Sequence, residues 1–500
     1  MRRAPLVLLW LLWSGLLTWS QPLLGAATSI AQRECAALSK LSLPDVSISE
    51  AVAVPATPGA PVHVPHCRVT GVIGSEIGFV AILPDNWNDR FFMGGGGGFV
   101  GEIQNGAMAT ANLGYVTAGT DTGHKGDVFN GSWAYQNLER QVNFGYLAVH
   151  RTAEVTKAII AAHYGRPART SYFQGCSRGG GQALMAAQRF PRDFDGILAG
   201  APAYDWTGFA AASVRNMQVL YPDPARLDTR MFSPADLQMI ETRVVAACDT
   251  NDGVTDGVVD DPRSCRFDVG TLPLSEAQKQ ALRTIYSATV QPGGEIYPAQ
   301  PFGGEGQVGG WAPWITGGAK NSESTGLPSL MFGFGTHVFK YFVFDDPAWD
   351  YSKYDIANWA RDTARTATVL NATNPDLDAF KARGGKLIVW HGWADPALTA
   401  LASIRYQEQV QARDPQAGTY MRTFLLPGVL HCGGGAGPDT VDWVAAISDW
   451  VERGVAPSRL TARKVANGAV TRSRPICPYP QKAAYSGLGS TDDEKNFVCQ

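Results

Sequence analysis

Charge is scarce in this sequence and neither sign prevails: 42 Lys and Arg stand against 45 Asp and Glu, the net charge is -3 at pH 7, and only 17% of residues are charged. There is no long basic run, which argues against a nucleic-acid-binding surface as the main function. Beyond Trp19 no apolar stretch is long enough to span a bilayer, and no repeat of solenoid period is present. What remains is a chain of 500 residues, 45% of them hydrophobic. It is too long for one minimal core, so one large domain with a big insertion, or two domains, is expected.

Met1-Arg2-Arg3, the Leu- and Trp-rich run Pro5 to Trp19 and small residues at Gly25-Ala26-Ala27 or Ser29-Ile30-Ala31 form a secretory signal pattern. Residues 1–27 are set apart as a signal peptide. The run is short for a spanning helix, so the expected product is secreted or periplasmic, with no stable membrane insertion after cleavage. Eight cysteines fit an oxidising compartment. Proximity along the chain pairs Cys35 with Cys67, Cys248 with Cys265 and Cys477 with Cys499, leaving Cys176 for Cys432, although spacing alone does not fix connectivity.

The stretch around which the rest is arranged is Gln174-Gly175-Cys176-Ser177-Arg178-Gly179-Gly180-Gly181. It follows the apolar Ser171-Tyr172-Phe173 and opens a helix-like segment to Gln188. Gly175 to Gly179 fits G-x-S-x-G, a strained strand-to-helix turn that lifts a serine oxygen out of a sheet. Ser177 is the expected nucleophile and the Arg178 N–H one oxyanion donor. Upstream, strand patterns at Cys67 to Ile73, Ile77 to Leu83 and Trp87 to Met93 run into Gly94 to Gly98. Such a loop is either a flexible connector or the source of a second oxyanion donor, expected at Gly95, Gly96 or Gly97. Strands at Tyr115 to Thr120 and Phe194 to Ala199 and a helix at Leu147 to Tyr164 complete an alternating α/β pattern, which predicts a mostly parallel sheet covered on both faces.

From Ala203 to Arg383 the rhythm is lost, and the segment reads as an inserted lid; residues 28–202 and 384–500 form the catalytic domain. A buried strand resumes at Lys386 to His391, followed by a helix at Leu398 to Val410, a strand at Tyr420 to Leu426 and a helix at Thr440 to Val451. Asp395 follows the first of these strands and His431 the second. Ser, Asp, His is the chain order expected on such a sheet, with His431 as base and Asp395 fixing its tautomer. Asp-Pro at 395 is also a common turn former, and His391 is a rival base placed before the acid, out of order. His124 precedes the nucleophile and reads as a loop brace. A Cys176–Cys432 bridge would hold the Cα atoms of Ser177 and His431 within roughly 14 Å.

Gly175-Cys176-Ser177-Arg178-Gly179-Gly180, Gly392-Trp393-Ala394-Asp395 and His431-Cys432-Gly433, supported by the glycine loop and the cysteine pattern, resemble the tannase and feruloyl esterase family over nearly the whole mature chain. That family includes hydrolases of mono(2-hydroxyethyl) terephthalate. The resemblance implies an α/β-hydrolase fold with a large inserted lid and hydrolysis of aromatic carboxylic esters: feruloyl, galloyl or terephthaloyl monoesters. A serine peptidase of similar fold and a non-catalytic binding module on the same scaffold are the alternatives. Loss of a triad residue would mark the latter; all three are present.

Between Cys248 and Cys265, the run Asp249 to Val258 packs three carboxylates and two glycine turns, which suits a hard cation such as Ca²⁺, or an acidic solvated turn. The family resemblance implies a structural calcium held by Asp249, Asp252, Val254, Asp256 and Val258. Aromatic residues crowd the lid at Trp311, Trp314, Phe332, Phe334, Phe339, Tyr341, Phe342 and Phe344. Trp311 and Trp314 are the expected substrate contacts, because Gly309 and Gly310 place them in an exposed loop. The terephthalate-type hydrolases of the family use a lid arginine for the free carboxylate; between Pro301 and Asp350 this chain has none, only Lys320 and Lys340.

Overall fold

The computed structural model describes residues 35–318 and 325–500; the signal-peptide expectation for residues 1–27 lies outside them. Among the described residues nine strands form one sheet. β1 (Val46–Val54), β2 (His66–Ile73) and β3 (Ile77–Pro84) are antiparallel, with Ile73 opposite Ile77 across the turn at Gly74-Ser75. β5 (Val116–Thr120) pairs antiparallel with β3, and from there the direction is uniform through β4 (Arg90–Gly94), β6 (Thr170–Cys176) and β7 (Gly196–Gly200). A separate hairpin of β8 (Thr289–Gln291) and β9 (Gly294–Tyr297) lies in the long connection that follows. β10 (Lys386–Gly392) and β11 (Met421–Leu426) then complete the parallel run.

Successive side chains of these strands enter two different cores. Phe91, Met93, Phe173, Ile197, Ala199, Leu387 and Val389 pack with Ala183, Leu184 and Ala187 of the helix Arg178–Arg189. Phe92, Tyr172, Leu198, Ile388 and Phe424 pack with Ile447 and Trp450 of the helix Trp443–Arg453. Burial on both faces is why the strands read as continuous apolar runs rather than alternating ones. This is the α/β-hydrolase arrangement. Among the described residues no helix is long and apolar enough to cross a membrane.

β7 and β10 are paired neighbours, Gly196 opposite Lys386 and Gly200 opposite Trp390, yet residues 201–385 run between them. This interval contains the expected lid segment 203–383. It is more regular than its sequence implies: helices Trp206–Leu220, Pro234–Cys248, Glu276–Ile285, Leu330–His337 and Trp359–Leu370 build it. The first is buried on nearly every side, so it carries no amphipathic stripe for periodicity to detect. The tail also forms a hairpin, Leu460–Ala466 with Ala469–Ile476, turning at Asn467-Gly468 where both residues have positive φ.

The cysteines pair as Cys35–Cys67, Cys176–Cys432, Cys248–Cys265 and Cys477–Cys499.

Candidate active site

Ser177 sits between β6 and the helix Arg178–Arg189 with φ 62° and ψ -122°, a strained backbone held by its surroundings. Its N–H donates to Gly200 O at 3.0 Å, and its carbonyl accepts from Ala203 N at 2.9 Å. The glycines around it are obligatory. A Cβ on Gly175 would lie 2.5 Å from the Gly179 backbone, and one on Gly180 would lie 2.2 Å from Gly200 O. The helix therefore starts directly against the turn after β7, and its N-terminal N–H groups face the serine's side of the sheet.

Asp395 is wholly buried in the turn after β10. Its Oδ1 accepts from the N–H groups of Ala397 (2.8 Å) and Leu398 (3.0 Å), and its Oδ2 accepts from His431 Nδ1 at 2.8 Å. Burial by itself would raise this carboxyl; the charge of His431 and the N–H groups of His391 and His431 outweigh it and hold the carboxyl well below the ordinary carboxylate range. The inserted segment grips the same turn, Gln300 Nε2 donating to Asp395 O at 2.6 Å and Thr399 Oγ1 to Ala299 O at 2.7 Å.

His431 is joined to the serine turn by Cys176–Cys432, whose Cα atoms are 5.9 Å apart. Cys432 itself has φ 62°, so a strained residue lies at each end of the bridged pair of turns. Among the described residues no hydrogen bond joins Ser177 to His431; such contacts are often long until substrate is bound.

The glycine loop corrects one expectation. The N–H of Gly95 donates to Gln174 O (2.8 Å), that of Gly96 to Gln182 Oε1 (3.2 Å) and that of Gly97 to Gln104 Oε1 (2.6 Å). None of the three is free to meet an oxyanion. Gly98 borders the same cavity as Ser177, its N–H has no partner among the described residues, and at φ +56° a Cβ there would lie 2.3 Å from Val128 O. The sequence hides this because φ and N–H direction within five consecutive glycines leave no residue-type signal.

The small cavity beside Ser177 is walled by Trp206, Phe209, Trp314 and Phe334, with Ala397 and Leu398 on the acid side. Trp206 and Phe209 were missed by the sequence reading; their i, i+3 spacing directly after β7 is the available signal. Trp314 is where it was expected. Trp311 is not: it is fully buried, its ring 5.1 Å from that of Tyr286, and it is absent from the cavity wall. Gly309 and Gly310 turn the chain inward rather than outward.

Arg178 also lines this cavity. Its guanidinium is buried over the ring of Phe144 at 4.3 Å and donates through Nη2 to the carbonyls of Phe144 and Gly145. Nε and Nη1 have no hydrogen-bond partner among the described residues. Burial lowers its pKa to about 9.

In the acidic loop, Asp249 accepts from the N–H groups of Asp256, Gly257 and Val258, and Asp252 from that of Val254. Burial raises the carboxyls of Asp252 and Asp256, and burial together with the charges of Asp252 and Asp261 pushes Asp260 up to about 7. These carboxylates are crowded and partly desolvated, but among the described residues no three acidic, His or Cys side chains converge as ligands, and Arg474 pairs with Asp256 Oδ2. Asp260 was missed by the sequence reading; it lies two residues past the last expected ligand.

Comparison with known proteins gives a consistent answer. A profile described as "Tannase and feruloyl esterase" matches residues 62–500. An uncharacterized esterase of Xanthomonas campestris pv. campestris is 35% identical, with 94% of this chain and 92% of that protein covered. Mono(2-hydroxyethyl) terephthalate hydrolase of Piscinibacter sakaiensis is 32% identical, covering 89% and 87%. Among solved structures, feruloyl esterase B from Aspergillus oryzae superposes with a TM-score of 0.83 at 27% identity, over 94% of this chain and all of that one.

Proposed function

Because the chain belongs to the tannase and feruloyl esterase family and is a carboxylic ester hydrolase, we propose that it is an exported serine esterase acting on small esters of aromatic acids through Ser177, His431 and Asp395. The observation that carries this reading is the 2.8 Å contact of His431 Nδ1 with Asp395 Oδ2 beside a disulfide that ties the histidine's neighbour to the serine's.

In this reading Ser177 Oγ attacks the ester carbonyl carbon while His431 Nε2 takes the hydroxyl proton. The negative oxygen formed is met by the N–H groups of Arg178 and Gly98. As the C–O bond breaks, His431 returns the proton to the leaving alcohol. Water, deprotonated by the same nitrogen, then attacks the acyl-enzyme, and Ser177 leaves with the proton restored. Asp395 keeps the Nδ1 proton in place and stabilises the transient imidazolium.

The four aromatic walls of the cavity suit a planar acyl ring. Four disulfides support an oxidising, extracytoplasmic setting. A structural Ca²⁺ belongs to this proposal, held by Asp249, Asp252 and Asp256 with the carbonyls of Val254 and Val258; when bound it neutralises carboxylates that otherwise repel one another.

The test is labelling by an aryl phosphonate followed by peptide mapping, with hydrolysis of feruloyl, galloyl and terephthaloyl monoesters measured for wild type and Ser177→Ala. The adduct is expected on Ser177, and the variant is expected to be inactive though folded. Turnover surviving in Ser177→Ala removes the nucleophile assignment; failure to hydrolyse any of the three esters removes the aromatic-acyl assignment.

A further inference from the structure

One histidine that the scheme leaves out lies against its acid. His391, at the end of β10, is 1% exposed. Its Nε2 lies 3.1 Å from Asp395 Oδ2 and 2.9 Å from Leu398 O, and its Nδ1 lies 2.8 Å from Ser403 Oγ. Two acceptors on one side require the proton on Nε2. Nδ1 then accepts from the Ser403 hydroxyl, which has no other hydrogen bond among the described residues. His391 is thereby held by Ser403 with its Nε2–H directed at Asp395.

Asp395 consequently receives four N–H groups: two from the backbone on Oδ1, and two imidazoles, His431 and His391, on the single atom Oδ2. Such sharing has an electrostatic consequence. A donor on Oδ2 withdraws charge from the atom that faces His431 and so tempers its preference for the imidazolium. It also fixes the plane of the carboxylate, which the backbone donors on Oδ1 alone leave free to rotate.

Resting on the Ser177–His431–Asp395 reading, we propose that His391 is a positioning residue of this site, held by Ser403, which orients Asp395 and sets how strongly it stabilises protonated His431. The ring is not part of the cavity wall, so the effect falls on the chemical step rather than on substrate binding. The titratable groups facing Asp395 are His391, His431 from the loop after β11, and Tyr297 from β9 of the inserted segment; beyond Tyr297 lie Asp205 and Arg405, paired at 2.9 Å. Tyr297 stays neutral across the working range, its phenol raised by burial and by the charge of Asp205.

The experiment is the pH profile of kcat and of kcat/KM on one aromatic ester for wild type, His391→Leu, His391→Gln, Ser403→Ala and Ser177→Ala, each checked for fold by circular dichroism and melting. Removing the Nε2–H leaves Oδ2 to His431 alone, the imidazolium is favoured, and the acid limb moves to higher pH. In H391L the limb is expected to rise by roughly half a unit to one unit, with kcat down on the order of tenfold and KM nearly unchanged. H391Q, whose amide N–H can reach the same oxygen, is expected to bring the limb back. An unmoved limb in folded H391L overturns the proposal, as does equal loss in H391L and H391Q. Should H391L not fold, Ser403→Ala decides: releasing the tautomer is expected to move the limb in the same direction by less, and an unmoved limb there overturns it. Activity persisting in Ser177→Ala overturns the triad reading itself and is thus told apart from failure of this inference.

Discussion

The indole of Trp314 meets the imidazole of His431 edge to face, ring centroids 4.8 Å apart at 72°. Trp314 also forms part of the cavity wall, so one side chain touches both the base and the space where an acyl group would sit. Replacing it with alanine is expected to lower kcat/KM on an aromatic acyl ester by about tenfold, the size of a lost aromatic contact, and to lower it less on an acetyl ester of the same alcohol. Trp314→Phe should retain most activity. Equal losses on the two esters would show that the indole braces His431 and does not touch the acyl group.

The central disulfide closes a loop of 256 residues, for which chain-entropy arguments give an upper figure of roughly 5 kcal/mol. Its catalytic effect is separable from its stability effect. Replacing Cys176 and Cys432 with alanine should reduce turnover on the order of 100-fold even well below the melting temperature, because placement of Ser177 against His431 is relaxed by something like 1 Å. Replacing the peripheral pair, Cys477 and Cys499, should lower melting with little change in turnover. If both double variants lose turnover equally, the bridge is a staple of the fold only.

Val258 of the acidic loop packs against Gly428, in the same loop as His431; a Cβ on Gly428 would lie 2.9 Å from Val258 Cγ1. Chelation is therefore expected to lower the melting temperature, with calcium restoring it by mass action, and Asp252→Ala should mimic the chelated protein. The loss of stability should appear before any loss of initial rate. Elemental analysis without calcium, together with melting that responds to neither chelator nor added ion, would discard the cation.

Glu305 is fully buried, accepting from Tyr286 Oη and Gly303 N on Oε1 while Oε2 has no partner among the described residues. Burial pushes its carboxyl up to about 7. A carboxyl raised on folding makes the native state bind the proton more tightly than the unfolded chain, so its contribution is present below about pH 4 and is lost as pH climbs to about 7. Glu305→Gln, which resembles the protonated form, should flatten that part of the stability profile and raise stability at pH 8 relative to wild type. Denaturant midpoints at pH 5 and pH 8 provide the check; an identical pH difference in the variant would show that Glu305 does not titrate in this window.

Much of the sheet was legible in the sequence because strands buried on both faces, such as Lys386 to His391, are unbroken apolar runs bounded by glycine or polar turns. β1 was not read, since it is a half-exposed edge strand whose alternation of Val and Ile with Ser and Glu resembles a polar loop. Ser177, Asp395 and His431 were chosen from local turns and chain order, information that survives in one dimension. The Trp311 expectation failed for the opposite reason. Its burial depends on Tyr286, which is remote in sequence, and no neighbouring residue reports that contact. His391 was weighed only as a rival base. Nothing local shows that the five residues from His391 to Asp395 fold back so that ring and carboxylate meet.

Among the described residues the sheet draws none of its strands from 201–385, and β7 pairs directly with β10 from Gly196 opposite Lys386 to Gly200 opposite Trp390. In evolutionary terms this gives the fold a single splice interval, opening after Gly200 and closing before Lys386. A descendant, or an engineer, can exchange the segment beyond Ala203 for another and present a different wall to the acyl group, while the N–H groups of Ala201 and Ala203 keep their bonds to Trp390 O and Ser177 O. The newcomer must also rebuild the clasps to the acid turn made here by Gln300 and by the carbonyl of Ala299. Diversification of acyl preference in such a scaffold is a matter of recombination as much as of point mutation.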